Sequence, residues 1–270
     1  MSEKKSTKPK KKPAAKKTPA KKTTKKDTTT KKKVGTVGKD SLIYVDYSAT
    51  TQDDGVVFDT TMKEVAKESN IFRENDRYEP MLVAIGWNWL LAALEEDLIG
   101  MKVGESKTVA VPPEKGAGQR DPTKVKMIAK IKLAKHGTKP VKGESITFGK
   151  ERGVITAVLG RRVRVDFNSP LAGRTLEFDV TVREIVSNPL DKVKAVVKRR
   201  MPSVPDDNFK FSIARKIITI EMPKETRYIQ DVQYAEIGIA ADAMKVVPGA
   251  KEVKLVVTFD RPEPPKENTT

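Results

Sequence analysis

The stretch Ile85 to Met101, IGWNWLLAALEEDLIGM, limits what this chain can fold into more than any other. Trp87, Leu90, Leu91, Leu94 and Leu98 recur with a helical period, while Asn88, Glu95, Glu96 and Asp97 fall largely off that face. The spacing predicts one short helix that presses its apolar side against a partner. Gly86 stands at its predicted start and Gly100 at its end, where a residue without Cβ can take the turn that closes a helix. Alternating patterns at Leu42 to Ser48 and at Thr175 to Ile185 predict strands on either side. A sheet wrapped over one helix is the simplest arrangement that buries all of these faces.

Charge is distributed unevenly along the chain. Residues 1–33 hold 15 Lys against only Glu3 and Asp27, a net of +13, which leaves 38 basic and 34 acidic groups, a net of +4, in the other 237 residues. The first segment has no apolar periodicity and too little apolar surface to offset the entropy of ordering, so disorder is expected there. It reads equally as a solubilising tail or as an arm making nonspecific, salt-sensitive contact with nucleic acid. With no Cys, disulfides, thiol nucleophiles and thiolate-bound metals are excluded. The longest near-apolar run, Met81 to Leu94, is too short for a membrane span. The expectation is a soluble cytoplasmic protein without membrane contact.

Asp53-Asp54-Gly55 is turn chemistry between Leu42 to Ser48 and Val56 to Asp59 and predicts a hairpin. Lys63 to Tyr78 is polar and reads as a loop or short helix. Glu105 to Val111 is a further strand, closed by Pro112-Pro113. Val125 to Lys135 alternates, with Val125, Met127, Ala129, Ile131 and Leu133 on one side, and predicts one long strand. Ile146 with Phe148, Val154 to Leu159 and Val163 to Phe167 continue as short strands, with Gly160 as a turn, so residues 122–168 read as a small all-β insert. In Thr175 to Ile185, Leu176, Phe178, Val180 and Val182 alternate against Glu177, Asp179, Thr181 and Arg183. A helix near Leu190 to Arg200, strands at Phe209 to Ile213 and Ile217 to Met222, a helix near Ile229 to Met244 and a strand at Val253 to Phe259 predict a separate α+β unit.

Reactive chemistry is scarce. The single His, His136, rules out a multi-His metal site and a nucleophilic triad, and reads as an exposed turn residue. Gly116 and Gly118 form a lone GxG, and no phosphate-binding loop is present. Arg161, Arg162 and Arg164 read as a solvated strand face. No metal and no cofactor are implied. On pattern alone Leu90, Leu91 and Leu94, like Phe58 and Phe178, are core residues, Tyr47 is a rim or core tyrosine, and Asp59 caps a turn. A shaped apolar site is the chemistry that remains.

Three segments, VDYSATTQDDGVVFD, then IGWNWLLAALEEDLIGMKVGESKTVAVPPEKGAGQRDP, then VDFNSPLAGRTLEFDVTV, resemble FKBP-type peptidyl-prolyl cis-trans isomerases. More narrowly, the chain is similar to the long archaeal and SlyD-like type, in which an insert-in-flap chaperone domain interrupts the isomerase domain. The resemblance implies an α+β fold. A half-open antiparallel sheet would wrap one short helix at 37–121 and 169–188, interrupted by the insert at 122–168 and followed by a C-terminal α+β domain at 189–262. Residues 1–36 and 263–270 would be tails.

By the same resemblance, Tyr47, Phe58, Asp59, Leu91 and Phe178 form a pocket for a proline ring, with Met81, Leu90 and Leu94 as further substrate walls. The backbone N–H of Leu91 would bond a substrate carbonyl, and Asp59 would sit beside the twisting amide. The implied partners are proline-containing peptides and unfolded or nascent proteins. The sequence departs from the family pattern where Ala117 replaces a tyrosine, where Ala92-Ala93-Leu94 lacks an aromatic residue, at Met81, and at Ser169, where histidine is common. Each lost hydrogen bond is worth about 1 kcal/mol, so slow turnover is expected. Two alternatives stay open: a holdase chaperone with a decayed pocket, and a nucleic-acid-associated protein acting through residues 1–33.

Overall fold

The computed structural model describes residues 35–135, 140–259 and 261. Residues 1–34, 136–139, 260 and 262–270 lie outside the described residues, and with them the predicted tails and the predicted His136 turn. The elements run in the order β1 (Leu42–Thr51), β2 (Val57–Thr60), α1 (Lys63–Glu68), β3 (Met81–Ala84), α2 (Ala92–Leu98) and β4 (Ser106–Val111). They continue with β5 (Val125–Ala129), α3 (Lys130–Lys135), β6 (Ser145–Phe148), β7 (Glu151–Leu159), β8 (Arg162–Asp166) and β9 (Leu176–Val186). The last are α4 (Pro189–Arg200), β10 (Lys210–Ala214), β11 (Ile217–Met222), α5 (Val232–Val246) and β12 (Glu252–Val257). Among the described residues, no helix is long and apolar enough to cross a membrane. The chain already pairs at Thr36, which bridges to Lys102.

The fold is α+β, with a half-open antiparallel sheet on one short helix. The sheet runs β2-β1-β9-β4, and β3 pairs with β1 beside β2. Along β9, Leu176, Phe178, Val180 and Val182 are buried, as their alternation predicts. The strand β1 departs from simple alternation, because both of its faces are covered. Ile43, Val45 and Ala49 pack with Leu94 and Leu98 of α2, while Leu42 faces a second core with Val193, Val196, Val197, Ile218, Ile220 and Ile239. The C-terminal elements therefore share a hydrophobic core with the outer face of the sheet. Their own sheet runs β10-β11-β12, antiparallel then parallel, the parallel step being made by a crossover through α5.

Between β4 and β9 the chain forms a four-stranded sheet, β5-β8-β7-β6, around Ile128, Ile146, Ile155, Val163 and Val165. The predicted long strand from Val125 to Lys135 is corrected here. It stops at Ala129, paired with Arg162, the first residue of β8, and beyond that point there is no partner ladder. The chain turns into α3, which carries Leu133 back onto the core. The predicted apolar side is buried only in part: Leu133 is 1% exposed, but Met127 is 45% and Ile131 69%, and Ile128 from the other side is buried at 6%. Arg161, Arg162 and Arg164 are exposed, as expected.

The mouth of this insert is tied by side chains. Asn168 Oδ1 accepts from the Asp121 N–H at 2.9 Å, and its Nδ2 donates to Asp121 O at 2.9 Å and to Asp166 Oδ1 at 2.8 Å. Arg120 pairs with the buried Asp166. Burial works against the Asp166 carboxylate, yet hydrogen bonds from Asn168 and the Arg120 charge lower its pKa below 3.8. A depressed carboxylate stabilises the fold above its unfolded pKa and loses that contribution as pH falls through the folded value. Asn168→Ala is expected to destabilise the protein by about 1–3 kcal/mol in denaturant unfolding, because it orphans buried groups. The wild-type stability should itself decline as pH is lowered below about 4.

In the C-terminal unit, the Arg200 guanidinium lies across α5 and reaches Asp242 through two bonds of 2.9 and 2.6 Å. Gly238 makes the space: a Cβ there would lie 2.8 Å from Arg200 Cζ. Gly→Ala in a helix interior normally stabilises by about 1 kcal/mol. Here Gly238→Ala is expected to lower the denaturation midpoint by displacing Arg200 from the buried Asp242. In an Arg200→Met background the same substitution should raise it, a sign reversal measurable as a double-mutant cycle.

Candidate functional site

The segment expected to form a helix from Gly86 is helical only from Ala92 to Leu98. Its end is as predicted, with Gly100 at φ +91 just past the helix. Its beginning is corrected by Glu95, which was expected off the apolar face and is 3% exposed. The Glu95 carboxylate accepts the backbone N–H groups of Gly86 at 2.7 Å, Asn88 at 3.2 Å and Leu90 at 2.9 Å. Residues 86–90 curl around this acid instead of forming helical bonds. Trp87 consequently leaves the leucine face on which the helical period placed it. It packs edge-on against Trp89, with ring centroids 5.4 Å apart, toward the C-terminal core.

Leu90 and Leu91, carried at the end of this curl, face a cavity of about 310 Å³ on the other side. Register explains how distant residues meet there. Ala49 of β1 sits opposite Asp59 of β2 and Phe178 of β9, and Tyr47 sits opposite Val180. The small Ala49 leaves room for the Tyr47 and Phe178 rings, whose centroids are 6.3 Å apart. Phe58 meets Phe178 edge-on at 6.0 Å. The Tyr47 hydroxyl donates to Asp59 Oδ2 at 2.7 Å, and the Tyr47 backbone is pinned by Thr61, whose Oγ1 accepts its N–H at 2.9 Å. Burial, then the bond to the Asp59 carboxylate, push the Tyr47 pKa well above the ordinary 10.0, so the phenol remains a donor in neutral solution. Leu91 caps α2, its carbonyl accepting from the Leu94 and Glu95 N–H groups; among the described residues its own N–H has no acceptor.

Tyr47, Phe58, Asp59, Leu90, Leu91, Leu94 and Phe178 all line this cavity. Met81 does not. It lies in a neighbouring groove of about 770 Å³, which also contains Tyr47, Phe58 and Asp59. Sequence reasoning did not select Leu171, Leu176 and Val180, which complete the wall with Gly116 and Ala117. Leu176 and Val180 were legible as inward positions of β9. Leu171 had only the PLAG motif to mark it, a turn in which the Leu171 N–H bonds Ser169 Oγ at 3.3 Å. Glu95 had no sequence signal. Among the described residues, no cluster of acidic or histidine side chains could hold a metal ion.

Comparison with known proteins points to one family. The family model for FKBP-type peptidyl-prolyl cis-trans isomerase matches residues 34–183, and a second, FKBP26_C-terminal, matches residues 189–260. The chain is 38% identical over 152 residues to a short-type peptidyl-prolyl cis-trans isomerase of Methanocaldococcus jannaschii, covering 56% of this chain and 96% of that one. It is 35% identical over 112 residues to the FKBP-type 16 kDa isomerase of Escherichia coli K12 (40% and 74% covered). To the FKBP-type isomerase SlyD of Aeromonas hydrophila it is 28% identical over 149 residues (54% and 62% covered). The chain belongs to the FKBP-type peptidyl-prolyl cis-trans isomerase family.

Glu95→Gln preserves shape but replaces one acceptor oxygen with a donor facing an N–H. It is expected to destabilise the protein by about 1–3 kcal/mol in denaturant unfolding. Amide exchange of Asn88 and Leu90 should quicken more than that of the strands, because the curl loses the charge that holds it.

Proposed function

We propose that the chain is a cytoplasmic isomerase of X-Pro bonds that works in the apolar cavity, with the β5–β8 insert holding unfolded client chains. The observation that carries the reading is a cavity of about 310 Å³ with aromatic and aliphatic walls and very few polar groups. Rotation about an amide is opposed by a barrier of about 18–20 kcal/mol because twisting destroys its resonance. The twisted amide has less charge separation than the planar one, so a water-poor apolar site favours it over the ground state. In this reading the proline ring lies among Tyr47, Phe58, Leu94 and Phe178. The Leu91 N–H donates to a substrate carbonyl, and Asp59, oriented by Tyr47, stands beside the rotating bond. No base is required, and no covalent bond forms or breaks.

Support for a client-holding insert comes from its surface. Met127, Ile131, Val158 and Leu159 are exposed apolar side chains, and β5 and β6 are the outer strands of a small sheet. Such an edge can add an extended chain through main-chain hydrogen bonds. The relatives' names give no support to nucleic acid contact by residues 1–33.

The test is cis-trans exchange in a short Ala-Pro peptide, followed by NMR or a protease-coupled assay. The full chain should accelerate exchange. Asp59→Ala, at an exposed position outside the hydrophobic core, should reduce kcat/KM about tenfold, the equivalent of about 1.4 kcal/mol. Ala117→Tyr should raise it about fivefold by adding one hydroxyl donor worth about 1 kcal/mol. Removing residues 122–168 should spare short peptides and slow the refolding of unfolded proteins limited by proline isomerisation. A folded wild-type chain without any acceleration would overturn the reading in favour of a holdase with a decayed pocket.

A further inference from the structure

The groove of about 770 Å³ next to the apolar cavity is not explained by the binding of a proline ring. It shares Tyr47, Phe58 and Asp59 with the cavity, runs beneath residues 70–80, and is closed on the far side by Ala195, Lys198 and Arg199 of α4. That far side lies outside residues 34–183, the part matched by the isomerase family model.

The two ends of the groove differ in charge. At the cavity end stands Asp59, bonded to the Tyr47 hydroxyl. Along the middle, Arg73 approaches Asp76 at 4.0 Å. Toward α4, Arg77 and Lys198 share a single carboxylate, Glu79, at 3.2 and 3.0 Å. Arg199 forms no ion pair among the described residues. Its guanidinium is held 3.8 Å from the Trp89 ring centre, while the adjoining Arg200 takes the nearby Asp242. Burial and the Arg200 charge lower the Arg199 pKa, against an opposing effect of the Asp242 carboxylate. A guanidinium stays protonated in proteins, and with Asp242 bonded to Arg200 the Arg199 cation is only partly balanced. Stacking on Trp89 fixes it in place, which lowers the entropy lost when it meets an anion.

We propose that this groove receives the polypeptide running on from a proline seated in the cavity, and that it selects segments bearing an Asp or Glu side chain, which meets Arg199 and Lys198. The proposal rests on the reading of the cavity as a proline site. Continuity through Tyr47, Phe58 and Asp59 makes the two spaces one path for an extended chain. The charge surplus at α4 names the complementary group. The chain's own lysine-rich residues 1–33 carry the wrong sign to fill it.

The test uses the full chain and blocked peptides with a central Ala-Pro, in which Glu, Gln or Lys is scanned through the flanking positions. Glu in at least one position should raise kcat/KM about two- to fivefold over Gln, the range of a partly exposed ion pair. Lys there should give no gain, and the advantage of Glu should vanish near about 1 M salt. Arg199→Gln and Lys198→Gln should each bring the Glu-to-Gln ratio toward one, while Lys194→Gln, which pairs with Asp191 outside the groove, should leave it unchanged. If the Gln peptide is accelerated but Glu gives no gain at any position, or the gain survives both groove variants, the groove proposal is overturned. If the Gln peptide itself is not accelerated, the proline-site reading and this proposal fall together.

Discussion

The Glu95 carboxylate is the interaction on which the site depends. A buried charge without partners would cost several kcal/mol, so this acid is tolerable only where donors converge on it. Three backbone N–H groups do so, which fixes residues 86–90 and the start of α2 as one unit. The unit presents Leu90 and Leu91 to the cavity on one side and Trp87 and Trp89 to the C-terminal helices on the other. Arg199 over Trp89 and Lys245 over Trp87, at 3.8 and 4.7 Å, hold that second side. The wall of the cavity is thus positioned from within by one charge and from outside by two cation–aromatic contacts.

Much of the architecture could be read from pattern. The β9 alternation, the β1–β2 turn and the C-terminal helices follow rules of period and turn chemistry that act within a few residues. The site residues other than Met81 converge because strand register places Tyr47, Asp59 and Phe178 around Ala49. Their selection came from the resemblance of motifs, since a leucine facing a cavity and a leucine facing a core have the same local signature. The misreadings share a cause. An acid in an amphipathic run is normally solvent-facing, and nothing local reveals that Glu95 will be surrounded by its own backbone. The alternation through Leu133 is genuine, but the partner strand ends first, and the length of a partner is not written in the strand that needs it.

Strand β1 carries a heavier burden than its ten residues suggest. It supplies Ile43, Val45 and Ala49 to the core under the cavity and Leu42 to the core shared with α4 and α5. The C-terminal elements cover the outer face of the sheet that bears the cavity, and through α4 they also close the groove beside it.

The insert has the opposite relation to the sheet. The strands that flank it, β4 and β9, are already paired as far as Val111 and Leu176, and Gly173 N–H still reaches Gly118 O at 2.8 Å beyond them. The chain therefore departs from and returns to neighbouring points across a clasp that is shut. Whatever hangs there adds little closure entropy with length and places no demand on register. A lineage could lengthen, exchange or shed that pendant without moving a strand that shapes the cavity.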